Sequence, residues 1–207
     1  QGFGVDPSRI HLTGSIKYDP DGAAVSEAKV GELHGVLARA GVLPAQPVFL
    51  AASTHAGEEV EIARVFQKLR QSVPDLVLLI VPRHVERRAE IVAALQTIGL
   101  QPALRSNETA TVAPAAPCLI IDTTGELAAW QHLATVVVIG KSFLAEGGQN
   151  PAEAALAKKP VLFGPHMENF TPLVDLLLKH EGARQVSGFE ELTTACRELL
   201  TSPGAAE

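Results

Sequence analysis

The apolar residues of this chain fall into short runs of strand length that alternate with stretches of helical spacing. The run LVLLIVP at 76–82 is apolar on both faces, which is typical of a central parallel strand. In residues 26–41, apolar side chains instead recur at the spacing of one helix face. Gly41 ends that stretch, where a C-terminal cap is expected. The alternation continues almost without a break along the chain.

This pattern predicts the secondary structure of nearly the whole sequence. Strands are predicted at 10–15, 47–53, 76–82, 102–106, 116–122, 135–142, 160–165 and 183–187. Helices are predicted at 26–41, 57–71, 85–99, 125–134, 150–159, 170–182 and 189–200. Such alternation builds βαβ units, hence a parallel sheet with helices on both faces. Because no repeat or long linker divides the sequence, residues 1–207 are predicted to form a single doubly wound, Rossmann-like α/β domain.

Composition and charge narrow the functional classes. With 46% apolar but only 4% aromatic residues, the core is expected to be aliphatic. The net charge of −6 argues against a nucleic-acid partner. The sequence has neither an apolar run of the ~20 residues that span a bilayer nor a signal peptide. Its first residue is Gln1 and its opening segment is polar, so we expect it to be a piece of a longer protein.

The two cysteines, Cys118 and Cys196, lie far apart and lack the spacing of metal ligands. A disulfide between them and a pair of reduced core thiols are both compatible with the sequence. The second interpretation fits a cytosolic protein better.

Candidate binding residues are those that follow the predicted strands, because ligands of open α/β sheets bind beyond the carboxyl ends of the strands. These candidates are Ser53, Arg83, His84, Thr124, Gly125, Glu126, Gly147, Gly148, Asn150, Glu153 and His166. Several of the turns open into predicted helices, whose N-termini favour anions. A helix dipole alone contributes only ~0.3–1 kcal/mol. A bound phosphate would therefore also need a cation, and Arg83 and Lys141 are placed to supply one.

Six of these candidates also have a simpler interpretation. The side chains of Ser53, Thr124 and Asn150 are typical helix caps. The glycine pair at 147–148 is compatible with a flexible loop, and an acid such as Glu153 suits the first turn of any helix.

The histidines that follow three predicted strands, His55, His84 and His166, fit hydrogen-bonding roles better than a zinc site, and no metal site is predicted. The chain lacks G-x-G-x-x-G, a P-loop and G-x-S-x-G, which argues against dehydrogenase, NTPase and serine hydrolase functions.

Six motifs, taken together, resemble those of 3-deoxy-D-manno-octulosonic acid (Kdo) transferases in both order and spacing. They are GSIKYD (14–19), ASTHAGEE (52–59), VPRHVER (81–87), DTTGEL (122–127), GGQNPAEAA (147–155) and FGPHMENF (163–170). The resemblance implies the C-terminal, donor-binding half of a GT-B-type inverting glycosyltransferase of lipopolysaccharide biosynthesis. Such an enzyme transfers Kdo from CMP-Kdo to a lipid A precursor and uses no metal or other cofactor.

The resemblance also implies a missing N-terminal half, which would hold the acceptor site, the membrane contact and the catalytic base. No catalytic residue is therefore expected in this chain, which alone would be soluble and inactive. The full protein would act at the cytoplasmic face of the bacterial inner membrane.

Carried over by motif, the resemblance assigns specific roles. The segment from Gly147 and Gly148 through Asn150 to Glu153 would cradle the nucleotide, with Glu153 on the ribose. Arg83 would pair with phosphate. In the DTTGEL motif, Gly125 and Glu126 would approach the cytidine or the phosphate, and His166 would close the adjacent strand end.

Three positions depart from the family pattern. Lys141 stands where the family usually has glycine, Gln149 replaces a histidine, and Ala154 replaces a proline. Lys141 would lie near the carboxylate of the donor or in solvent. These departures leave two alternatives open: a GT-B-like transferase or epimerase that uses another nucleotide sugar, and a non-catalytic nucleotide-binding module.

Overall fold

The computed structural model describes Asp6, Arg9 and residues 25–202. Its helices are α1 (Glu27–Arg39), α2 (Glu58–Leu69), α3 (Arg88–Thr97), α4 (Leu127–Leu133), α5 (Ala152–Leu156), α6 (Thr171–Lys179) and α7 (Phe189–Thr201). Its strands are β1 (Val48–Thr54), β2 (Val77–Pro82), β3 (Ala103–Leu104), β4 (Cys118–Ile120), β5 (Val136–Ile139), β6 (Val161–Phe163) and β7 (Arg184–Gln185). The predicted strand 10–15 and the motif 14–19 lie outside the described residues. The other predicted helices and strands are confirmed.

The strands described here form one parallel sheet in the order β3-β4-β2-β1-β5-β6-β7. From β1 the chain continues to the neighbouring β2, then to β3 at the edge of the sheet, and then to β4, which lies between β3 and β2. It then returns to the other side of β1 and builds outward again through β5, β6 and β7. The direction of winding therefore reverses between β1 and β5, as in doubly wound folds.

The core consists of two apolar layers, one on each face of the sheet. Alternation along β1 sends Leu50 to one layer and Phe49 to the other. The first layer packs under α1, α4, α5 and α6, and the second under α2, α3 and α7. β1 and β2 are buried on both faces, which explains why their sequences are nearly continuous apolar runs.

Local signals explain why α1 begins and ends where it does. The Ser26 side chain accepts a hydrogen bond from Lys29 N at 3.2 Å, which caps the first turn. Gly41 follows the helix with φ 87°, the left-handed conformation predicted for it. None of the described helices is both long and apolar enough to cross a bilayer.

Both cysteines are core residues. Cys118 and Cys196 are buried, and in the part of the chain described by the structure no disulfide joins them. Burial raises the pKa of each thiol to about 12. The part of the interpretation that places both thiols in the core is confirmed.

Candidate functional site

The crevice of this sheet lies where the winding reverses, beyond the carboxyl ends of β1 and β5. There Gly140 N donates to Ala52 O at 2.8 Å. A Cβ added to Gly140 would lie 2.5 Å from Thr54 Cα. Glycine is therefore required for the chain to leave β5 so close to the end of β1, and the turns after these two strands lie side by side.

The turn after β1 also meets the turn after β2. Arg83 N donates to Thr54 O at 3.1 Å. The rings of His55 and His84 pack edge to face, with their centroids 6.0 Å apart. Ser53, half-buried, adopts a left-handed conformation with φ 56°. The structure thus brings three of the predicted residues, Ser53, Arg83 and His84, into one corner of the crevice.

Arg83 is an available cation in this corner. Its side chain is exposed and makes no hydrogen bond or ion pair within residues 25–202. The neighbouring His84 is also exposed, with its Nδ1 3.4 Å from a carboxylate oxygen of Glu86. An anion that enters the crevice can therefore reach the guanidinium of Arg83 without displacing a protein partner.

The glycine pair forms part of the opposite wall. Gly147 and Gly148 are buried and have φ values of 101° and 65°. A Cβ on Gly147 would overlap the Asn169 amide, and a Cβ on Gly148 would lie 2.5 Å from Met167 Sδ and 2.9 Å from His166 O. Residues with side chains are excluded here by both conformation and space. The two glycines thus allow a close contact with the segment after β6. His166, which was expected to close that strand end, lies beside them.

Beyond the glycines, the chain presents free backbone donors. The N–H groups of Gln149 and Asn150 make no hydrogen bond to any residue that the structure describes. The side-chain oxygen of Asn150 accepts a hydrogen bond from Ala152 N at 3.0 Å, at the start of α5. Glu153 follows in the first turn of α5, where its side chain is exposed. The predicted segment from Gly147 to Glu153 therefore forms a continuous edge of the crevice.

Lys141 adds a second cation to this edge. It is half-buried and left-handed, with φ 55°. Its Nζ lies 3.5 Å from the position that a Cβ would occupy at Gly147. Its ammonium has no hydrogen bond or ion pair among the described residues. Of the two expectations for Lys141, a place inside the site fits this geometry better than a solvated one.

The DTTGEL turn lies at the end of β4, which β2 separates from β1. The carboxylate of Glu126 accepts hydrogen bonds from Lys29 Nζ at 2.9 Å and Thr123 Oγ1 at 2.6 Å, and Arg105 lies at 3.5 Å. Burial acts to raise the pKa of Glu126, but these hydrogen bonds and charges outweigh it and lower the pKa. The structure therefore places Glu126 in an internal ion-pair network, apart from the first corner. Thr124 and Gly125, both exposed, remain at the rim beside it.

Helix capping, the alternative interpretation, has different outcomes for the three residues. The Asn150 side chain accepts from Ala152 N, the first residue of α5, but the cap position of that helix is Pro151, one residue later. Capping is wrong for Ser53 and Thr124, because the residues at the cap positions of α2 and α4 are Gly57 and Glu126, and neither helix has a side-chain cap hydrogen bond. Across the described ranges, no three His, Cys, Asp or Glu side chains are grouped in a way that could hold a metal ion.

Comparison with known proteins gives the chain its family. No protein-family model matches it. It is 37% identical over 162 residues to the 3-deoxy-D-manno-octulosonic acid transferase of Bordetella pertussis, an alignment that covers 77% of this chain and 36% of the relative. It is 30% identical over 211 residues to that of Haemophilus influenzae, covering 99% of this chain and 47% of the relative. The chain thus spans less than half the length of these curated relatives.

A solved structure agrees with the sequence relatives. It is the C-terminal CMP-Kdo binding domain of WaaA from Acinetobacter baumannii, with a TM-score of 0.77 and 26% identity. The match covers 87% of this chain and 93% of that domain. The chain belongs to the Kdo transferase family. The C-terminal domain of a group 1 glycosyl transferase from Francisella tularensis, at 13% identity and a TM-score of 0.53, shares the fold alone. The predicted GT-B C-terminal fold of this Kdo transferase family member is confirmed.

Sequence reasoning missed three carboxylates of the site. Glu58 and Glu59 are buried at the start of α2, although acids in a first helical turn are usually explained by the dipole alone. Glu168 accepts a hydrogen bond from Gly147 N at 2.6 Å. Hydrogen bonds from the backbone N–H groups of Glu168 itself and of Gly147 lower the pKa of Glu168. The one signal in the sequence was that these acids lie within the family-like motifs.

Proposed function

We propose that this chain is the donor-binding domain of an inverting glycosyltransferase that transfers Kdo from CMP-Kdo to a lipid A precursor. The observation that carries the proposal is the crevice between β1 and β5. There Arg83 faces a glycine-lined edge that carries Lys141 and free N–H groups, and neither cation has a partner among the described residues. Such an arrangement suits a ligand that combines a phosphate with a polar sugar.

The cations would act on the leaving group. As the bond from Kdo to phosphate breaks, negative charge grows on the departing CMP. Arg83 on one side, and Lys141 with the Gln149 and Asn150 N–H groups on the other, would stabilise that charge. In this proposal no metal ion or other cofactor has a role, because the protein itself supplies the positive charge.

Glu153 would bind the nucleoside. Its exposed carboxylate follows the free N–H groups of Gln149 and Asn150 by a few residues. A carboxylate can accept hydrogen bonds from both hydroxyls of a ribose. His84 and His166 would contact the ligand from the two walls. Thr124 and Gly125 would approach the ligand from the end of β4.

The remainder of the reaction is assigned to a part of the protein outside this sequence. We propose that residues 1–207 are one nucleotide-sugar-binding domain. A second domain would provide the base, the acceptor site and the contact with the cytoplasmic face of the inner membrane. Transfer would then require both domains.

Calorimetric titration of the 207-residue chain with CMP, UMP and UDP tests this proposal. We expect CMP to bind more tightly than the uridine nucleotides. Arg83→Ala and Glu153→Ala should each weaken CMP binding by about 1–3 kcal/mol, since each removes a hydrogen-bonding group that carries charge.

Two matched variants control for general effects. Arg197→Ala removes an exposed arginine from α7, and Glu27→Ala removes an exposed acid from the first turn of α1. Both should leave CMP affinity unchanged. Tighter binding of UMP or UDP than of CMP would indicate that the donor is another nucleotide sugar and not CMP-Kdo. If none of the three nucleotides bound, the proposal that this chain binds the donor would fail.

A further inference from the structure

Two neighbouring carboxylates at the start of α2 are buried directly beneath the crevice. Residues Glu58 and Glu59 are only 0% and 2% exposed. Acidic side chains are almost never so deeply buried unless they are fully partnered. Their partners lie in different turns, one on each side of β1.

The Glu58 carboxylate binds the turn after β5. Its Oε2 accepts the N–H groups of His55 at 3.0 Å and Lys141 at 2.6 Å. Its Oε1 accepts those of Ser142 and Phe143, each at 3.1 Å. Three successive amides of that turn are thereby engaged by the protein itself. They cannot also bind the phosphate of a ligand while Glu58 remains in place.

From this turn, hydrogen bonds continue to the other wall. Lys141 O accepts from Gly148 N at 3.1 Å, and Ser142 O accepts from His166 N at 3.0 Å. Ser142 Oγ, in turn, accepts from Gly164 N at 2.8 Å. A single residue therefore links Glu58 to each part of this wall: Lys141 links it to Gly148, and Ser142 links it to His166.

Glu59 makes the equivalent connection on the β2 side. Its Oε1 accepts from Thr54 Oγ1 at 3.0 Å and from Arg87 Nη1 at 2.9 Å. Arg87 Nη2 lies 3.4 Å from Oε2, which makes the ion pair two-pronged. The carbonyl of the same Thr54 accepts from Arg83 N. Glu59 thus holds the turn that carries Arg83.

We infer that Glu58 and Glu59 are positioning residues that fix the two walls of the crevice relative to each other from a single helical turn. This inference rests on the proposed function, in that the walls are held for a nucleotide sugar. Neither carboxylate needs to touch the ligand. Glu58 acts through the backbone of Lys141, and Glu59 acts through Thr54, whose carbonyl accepts from Arg83 N.

The chemistry at Glu58 requires a carboxylate. Each of its oxygens faces two N–H donors, so a glutamine would turn its own NH₂ group towards two donors in either orientation of the amide. Glu58→Gln therefore removes two acceptor contacts and adds a clash of donors with almost no change in volume. Glu59→Gln similarly removes the buried carboxylate that pairs with Arg87, which then keeps only the exposed Glu90 as a charged partner. Glu61→Gln, on the exposed side of the same helix, is the matched control.

Amide hydrogen exchange tests the positioning without any ligand. In the unmodified chain, the amides of Lys141, Ser142 and Phe143 should exchange slowly, although they lie in a turn. Glu58→Gln should accelerate their exchange at least about tenfold, and Glu61→Gln should not. Fast exchange of these amides in the unmodified chain would overturn the inference. That measurement decides the matter even if Glu58→Gln fails to fold.

CMP affinity tests whether the positioning of the two walls supports nucleotide binding. At a temperature where each variant is folded, Glu58→Gln and Glu59→Gln should each weaken CMP binding about tenfold, with Glu61→Gln unchanged. Glu58→Asp, which keeps the carboxylate, should recover part of the loss. Unchanged affinity in folded Glu58→Gln and Glu59→Gln would overturn the inference, whatever their stability. If the unmodified chain bound no CMP, the proposed function would fail, whereas the exchange result would still decide whether Glu58 holds the turn.

Discussion

Lys141 combines backbone strain with a side chain inside the crevice. A left-handed residue other than glycine costs roughly 1–2 kcal/mol, and the chain adopts this conformation with φ 55°. Its Nζ lies close to Gly147, on the edge where the proposed donor binds. A strained conformation maintained at such a place fits a functional role for the side chain.

Lys141→Gly should therefore separate stability from binding. It relieves the strain, but the added freedom of glycine in the unfolded chain offsets about 0.4–1 kcal/mol of that gain. We expect a thermal unfolding midpoint equal to or slightly above that of the unmodified chain, together with CMP affinity several-fold weaker by calorimetry.

Lys158→Gly is the control for this substitution. Lys158 has the same φ of 55° but lies in the turn between α5 and β6, where it is exposed. It should show the same change in stability and no change in affinity. If Lys141→Gly bound CMP as tightly as the unmodified chain, the ammonium would have no part in the site.

At individual positions, the sequence predicted the residues that follow strands but not the buried acids. Arg83 and His166 could be placed because a strand end is a local feature. The role of Glu58 depends on Lys141, Ser142 and Phe143, which are more than eighty residues away in the sequence. Only the folded sheet brings these groups together, and no local pattern carries that information.

Among the elements, the glycine at the end of β6 shows how closely the turns pack. A Cβ on Gly164 would overlap the carbonyl of Ser142 and lie 2.9 Å from a ring carbon of Phe143. Gly31, in contrast, lies within α1 and has open space where a side chain would be. The two glycines therefore respond to the same substitution in opposite directions.

Gly164→Ala should destabilise the fold by about 1–3 kcal/mol, as overpacking does in a filled core. Gly31→Ala should stabilise it by roughly 0.5–1 kcal/mol, because alanine favours the interior of a helix. Urea unfolding of the two variants measures both changes. A Gly164→Ala midpoint equal to or above that of the unmodified chain would contradict the packing described for β5 and β6.

The lengths of the helices and strands were predicted less well than their order along the chain. The predicted strand 116–122 pairs with β2 only over Cys118–Ile120, and with β3 only at Leu119 and Ile120. The predicted helix 150–159 is reduced to Ala152–Leu156, since Pro151 precedes it and the left-handed Lys158 follows it. A helix this short has a weaker dipole than the sequence suggested. Arg83 and Lys141 are correspondingly more important for binding an anion.

On the scale of the whole molecule, alternation along the chain was enough to predict a parallel, doubly wound sheet. It was not enough to predict the strand order, in which β4 lies between β3 and β2. That order depends on which strands pair over long distances, and apolar runs of similar length do not distinguish the pairings. The location of the crevice between β1 and β5 consequently became clear only from the fold.

A network at the other end of the site connects distant parts of the chain and should respond to acid. Lys29 in α1 and Arg105 after β3 both meet Glu126, whose pKa is below its ordinary value of 4.5. A carboxyl group with a lowered pKa in the folded state stabilises the fold above its unfolded pKa, and this contribution is lost as the pH falls through the folded value.

Glu126→Gln should therefore lower the unfolding midpoint at pH 7, and the difference from the unmodified chain should shrink as the pH falls below 4.5. The physical reason is that a protonated Glu126 no longer attracts Lys29 and Arg105. In acid the unmodified chain therefore loses the ion-pair stabilisation that the variant lacks at every pH. Thermal unfolding from pH 3 to pH 7 measures the effect. Glu108→Gln, at an exposed loop position, is the control and should follow the unmodified chain at every pH. A difference between Glu126→Gln and the unmodified chain that stayed constant over this range would show that the ion pairs of Glu126 do not stabilise the fold.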